Sequence, residues 1–293
     1  MPTFHTDQPI VLSIDLGQAT VHVIAGDRTD TVVAVNPRDG DRPEDVEAAG
    51  KTVVDLANGT LSIRGPRWRG IAAPLSGWRR SGAVEVVVEL PERSSLHAEA
   101  GFADFRVDGR LDDVELKTGA GDVRLDRTGA LRVRSGAGHV AVEEASGSVE
   151  VVTAGDTAIG AVAGAADVKN LNGRTWIGRV AGNAKVRSAN GDVAIDDAGD
   201  DVTVKTANGN IRLGQVVRGS VTIETASGEL EIGIGAGTAA WIDATTKFGR
   251  VHNQLTPVDD RGSSGETLQV HARTQFGDVL IARSWATEPG RTT

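Results

Sequence analysis

The chain has 293 residues, with 31 Lys and Arg against 40 Asp and Glu, for a net charge of −9. That balance argues against general nucleic-acid binding, and the absence of cysteine excludes disulfides, thiolate metal sites and thiol catalysis. With 37 glycines, no tyrosine and 3% aromatic residues, small branched side chains must fill any core, which suits a thin stack better than a layered globule.

The opening stretch MPTFHTDQPIVLSIDLGQATVHV has no basic segment ahead of a continuous apolar run, so no signal peptide is expected. No stretch approaches the roughly 20 apolar residues that span a bilayer. Cytoplasmic residence is therefore the expectation, with peripheral contact at a membrane as its variant. The segments IVLSIDLGQATVHVIAG, TVVAV, KTVVDLANGTLSIRG and AVEVVVELP read as longer strands with turns at Gly17, Gly40 and Asn58-Gly59. Their spacing predicts antiparallel hairpins over residues 1–93, a β cap on the repeats that begin at residue 94. Within it, RGPRWRGIAAPLSGWRR at 64–80 breaks the strand pattern and gathers Arg64, Arg67, Arg69, Arg79 and Arg80 around Trp68 and Trp78. Trp and Arg together are enriched in binding hot spots and at anionic membrane surfaces. The plainer reading is a loop folding its rings onto the end of the cap.

Residues 94–285 repeat. KVRSANGDVAID at 185–196 returns almost unchanged as TVKTANGNIRLG at 203–214, and glycines recur at 121, 138, 155, 173, 191, 209, 228, 249 and 277. The intervals are 17, 17, 18, 18, 18, 19, 21 and 28 residues. On each side of the glycine stands an apolar-polar-apolar run, so each lap is two short strands joined by a corner. A hydroxyl three residues before the glycine (Thr118, Ser135, Thr153, Ser188, Thr206, Thr225, Thr246, Thr274) is placed to bond the backbone where the chain turns. A lap of about 18 residues buries its apolar face only by lying on the next. The reading is therefore all-β: a single-stranded-type parallel β-solenoid of about ten laps behind the antiparallel cap. Antiparallel hairpins in a sandwich are the alternative. Residues 286–293 are expected as a flexible tail.

GDVRL, GHVAV, NGDVAI and NGNIRL after V-x-V-x-[T/S] strands, with the lead-in VEVVVELPERSSLHAEAGFADFRV at 84–107, resemble the bacterial "putative adhesin" β-strand repeat family of unknown function, the toastrack domain. The resemblance covers nearly the whole chain. It implies a β-solenoid-like domain of bacterial proteins, often near envelope-stress systems, and brings no catalytic motif.

One outward column precedes the corner hydroxyl and reads Lys117, Arg134, Val152, Lys169, Arg187, Lys205, Glu224, Thr245 and Arg273. Stacked about 5 Å apart, its cations form a basic stripe able to receive a polyanion, unless Glu115, Glu150, Asp167 or the corner acids Asp122, Asp156 and Asp192 balance it. Trp176 occupies an outward slot and can stack on a sugar ring or a second chain. The run DDAGDD at 196–201 offers carboxylates for calcium but reads better as a solvated turn. The six histidines show no metal-ligand or base-nucleophile spacing, and no nucleophile elbow or phosphate loop is present.

The expectation is a non-catalytic scaffold that needs no cofactor and either docks a protein partner or self-associates. Two other functions compete with it. One is a peripheral binder of anionic membrane or polyanion, through the 64–80 loop and the basic column. The other is a polysaccharide-active enzyme.

Overall fold

The structure, a computed structural model, describes residues 2–66, 82–255 and 266–284. It divides into two compact units, Met1–Gly155 and Asp156–Thr293. Each is built on a parallel β-solenoid.

The first unit opens with β1 (Thr3–His5), β2 (Val11–Gly26), β3 (Asp30–Pro37), helix α1 (Pro43–Lys51), β4 (Val53–Ala57), β5 (Thr60–Arg64), β6 (Ala83–Pro91) and β7 (Ser95–Arg110). Laps come next as β8 (Val114–Ala120) with β9 (Val123–Thr128), and β10 (Leu131–Ser135) with β11 (Val140–Ala145), then β12 (Val149–Thr153). β10 lies between β8 and β12, so Val133 stacks on Leu116 below and Val151 above. These inward valines and leucines are buried, and Phe105 is the one aromatic in the described core. Scarcity of rings and thinness of core are the same fact.

An antiparallel cap is present, and it is smaller than the sequence suggests. It comprises β1 on β3, β3 on β6 and β4 on β5. Asn58 and Gly59, both at positive φ, turn β4 into β5, the backbone a two-residue hairpin turn requires. β2 departs from the hairpin reading. It runs parallel to β5, β6 and β7 and belongs to the solenoid. The reason lies at Gly17, which is a corner and not a turn: a Cβ on Gly101 of the next lap would come within 2.8 Å of the Gly17 carbonyl oxygen. Helix α1 is absent from the strand reading altogether. Pro43 starts it, and buried Asp45 pins it by accepting hydrogen bonds from the amides of Ala83 (2.9 Å) and Asp39 (3.1 Å).

The second unit contains β13 (Thr157–Val162), β14 (Ala166–Asn172), β15 (Thr175–Val180), β16 (Ala184–Asn190), β17 (Val193–Ala198) and β18 (Val202–Asn208). It continues with β19 (Ile211–Val216), β20 (Gly219–Ser227), β21 (Leu230–Ile234), β22 (Ala239–Phe248), β23 (Val251–Asn253), β24 (Thr267–Phe276) and β25 (Val279–Arg283). Two parallel ladders share this core. In one, β14, β16, β18 and β20 stack in order; in the other, β13, β15, β17, β19 and β21 do.

Chain order fails at the end of this unit. β24 and β25 lie on β20 and β21, while β22 and β23 lie outside them. The last lap is thus inserted beneath the one before it. Its inward row of Leu268, Val270 and Ala272 is fully buried, whereas Ile242, Ala244 and Thr246 of β22 stay partly exposed. The more apolar row takes the sandwiched place, as burial of apolar area favours. No helix among the described residues is long and apolar enough to cross a membrane.

Candidate functional site

The corners explain the repeated residues before any function is invoked. Thr118 and Ser135 donate their hydroxyls to the carbonyls of Ala120 and Ala137, each at 3.0 Å. Thr206, Thr225 and Thr274 repeat the same bond two residues ahead. The acids at the corners are likewise occupied. Asp122, Asp156 and Asp192 accept the backbone amides of His139, Arg174 and Asn210 one lap on, at 2.8–3.0 Å. In the 196–201 run, Asp196 accepts from Trp176, Asp197 from Arg179 and Asp201 from the Ser220 amide. Among the described residues, no group of three or more histidine and acidic side chains is arranged to hold a metal.

The basic column forms as the period predicts, in two differently balanced pieces. In the first unit Lys117 and Arg134 are register partners. Lys117 Nζ lies 2.8 Å from Glu99, and Arg134 lies 3.7 Å from Glu150, which also binds Arg132 at 2.9 Å. In the second unit Lys169, Arg187 and Lys205 are consecutive partners on β14, β16 and β18. Lys205 pairs with Glu224 at 2.8 Å. Lys169 and Arg187, both exposed, have no ion pair among the described residues. Lys185 and Asp167 stand side by side one outward column away.

Trp176 is 42% exposed but tethered. Its Nε1 donates to Asp196 at 2.9 Å, and its six-membered ring lies over Gly178. Of the arginine and tryptophan loop, only Arg64 is described; it is exposed at the end of β5 and donates to Ser62 at 3.3 Å. Arg67, Trp68, Arg69, Trp78, Arg79 and Arg80 lie outside the described residues. His22 meets Asp108 on the face of the first unit. The Arg106 guanidinium holds the Asp108 carboxyl below its ordinary range, opposed by burial and aided to a lesser degree by His22.

A further feature escapes sequence reasoning. The rung β22–β23 pairs only with β24 and β25 among the described residues, so its outer edge carries no strand. Its inward Val251 is 43% exposed, whereas the register partner Val279 is fully buried. Trp241, Phe248 and Phe276 are exposed in the same two laps, with Phe248 stacked on Phe276 at 5.0 Å. Trp241 meets His271 edge-on at 5.3 Å. The available signal was the lengthening of the last two intervals to 21 and 28 residues, where regular stacking breaks.

A family model described as Toastrack DUF4097 matches residues 11–284. Among solved structures, the chain is similar to a "putative lipid binding protein" from Parabacteroides distasonis, at 11% identity and TM-score 0.41 over 96% of each chain. It is similar also to a "putative adhesin" from Parabacteroides merdae, at 11% identity and TM-score 0.37, over 96% of this chain and 95% of that one. A "putative adhesin" from Bacteroides fragilis matches at 8% identity and TM-score 0.27, with 96% of this chain and 95% of that one covered. No functionally curated protein matches significantly.

Proposed function

The chain belongs to the toastrack family, and we propose that it uses this fold as a non-catalytic scaffold that docks a partner strand along the outer edge of β22. The observation that carries this reading is the terminal rung itself. A parallel edge strand points alternate N–H and C=O groups outward, a template for one more strand. Here the template runs over the ten residues of β22 and is bordered by exposed Trp241, Phe248 and Val251. Its inward residues, Ile242 and Ala244, are partly exposed for want of a further layer among the described residues. Affinity purification from native cells with the wild-type chain and with Ala244→Lys tests the proposal. A lysine there stays solvated on a bare rung but is trapped under a docked strand. Partners held by wild type should be lost by the variant; an identical set from both would contradict the reading.

A second reading is favoured by one specific observation. Lys169 and Arg187 stack without counter-charge among the described residues of an acidic protein, as an anion-binding stripe would. This reading covers contact with an anionic membrane or a polyanion.

A further inference from the structure

The bare rung has chemistry of its own that selects its occupant. β22 reads AAWIDATTKF, with Asp243 two residues before Thr245 and Lys247 two residues after it. An antiparallel copy of the same strand, paired about a two-fold axis through Thr245, sets Asp243 opposite Lys247 of the second copy, twice. The same register sets the inward Ala244 opposite the inward Thr246, and sets the partly exposed Ile242 opposite Phe248, whose ring is exposed on the same rung. Lys247 is exposed and has no ion pair among the described residues, so it is available. Asp243 lies 3.5 Å from His271 and 3.8 Å from Arg273, long contacts that leave a carboxylate lone pair for a third cation.

We infer that β22 pairs antiparallel with β22 of a second copy of this chain, making an isologous two-fold dimer in which the terminal rungs complete each other's core. This rests on the docking reading above and narrows it to one occupant. A two-fold contact uses the same patch on both chains and so closes at two copies. A head-to-tail contact would need a comparable edge elsewhere. The outermost cap strands of the first unit, β1 and β4, are only three and five residues long, and short edges are how sheets avoid such pairing.

The experiment is a charge exchange read by sedimentation equilibrium, with amide hydrogen exchange of β22 measured in parallel. Wild type should be dimeric at micromolar concentration. Lys247→Asp and Asp243→Lys should each weaken the dimer roughly tenfold or more, because each sets like charges across the axis twice. An equimolar mixture of the two variants should recover the dimer, since every facing pair is then opposite in charge. The recovery also separates a lost contact from a misfolded variant. A wild-type monomer with fast-exchanging β22 amides would overturn the second-copy inference and leave the docking edge standing. A monomer with protected β22 amides would overturn both, the chain covering its own edge. A dimer indifferent to the reversals, or a mixture that is not rescued, would overturn the pairing about Thr245.

Discussion

At Gly209 the backbone has φ 144°, and a Cβ would collide with the carbonyl group of Gly191 one lap below. Both facts bar a side chain, and the obstacle is backbone that cannot rotate aside. Gly209→Ala is therefore expected to destabilise the second unit by about 2–4 kcal/mol, as measured by urea unfolding. Gly40→Ala, where nothing lies within 4 Å and φ is ordinary, should stay within about 0.5 kcal/mol of wild type. Equal effects would contradict the stacked-corner account. Asn170 marks the one lap whose corner hydroxyl is replaced by an amide. Its Nδ2 donates to Gly173 and Thr175, but its buried Oδ1 has no partner, and neither does the hydroxyl of its neighbour Ser188. The repeat pattern flags Asn170 only as an irregularity, because the missing partner is set by three-dimensional geometry.

On the scale of the element, the lap is a closed set of local bonds. At Thr118, Ser135, Thr206, Thr225 and Thr274 the hydroxyl satisfies the corner carbonyl, and the acid or Asn satisfies the next lap's amide. A ladder of amides, Asn208 to Asn190 to Asn172 at 2.9 Å each, ties successive corners. These bonds depend on residues spaced one lap apart, which is why period and strand parity alone foretold parallel pairing and the basic column. Charge balance was foretold only in part. Arg134 finds Glu150, one of the acids expected to balance the column, and Lys117 finds Glu99, while Lys169 and Arg187 form no ion pair among the described residues; which anion is reachable depends on rotamer and lap spacing. If the Lys169–Arg187–Lys205 stripe binds anions, the double variant Lys169→Glu, Arg187→Glu should lose about 2 kcal/mol, roughly 30-fold, in co-sedimentation with vesicles containing anionic lipid. Neutral vesicles should show no difference. Binding that is equal for both proteins would remove the stripe from consideration.

On the scale of the whole molecule, the lap order departs from chain order at two places. β2 enters between β5–β6 and β7 in the first unit, and β24–β25 enter between β20–β21 and β22–β23 in the second. The insertion in the second unit places the more apolar row inside and leaves β22 outermost among the described strands of that unit. Sequence periodicity reports what repeats, so it located the laps and missed the proposed docking edge, which lies where repetition stops. The central claim is that the outer edge of β22 is a contact surface closed by a second copy. Since the chain has no cysteine, a single Thr245→Cys substitution tests it most directly. Residues facing each other across an antiparallel pair have Cα atoms about 4.5–5.5 Å apart, within the range of about 4.4–6.8 Å that a disulfide spans. Under mild oxidation Thr245→Cys should run as a covalent dimer, while Thr203→Cys, on β18 between β16 and β20, should remain a single chain. Failure of Thr245→Cys to cross-link, or equal cross-linking at both positions, would contradict the account.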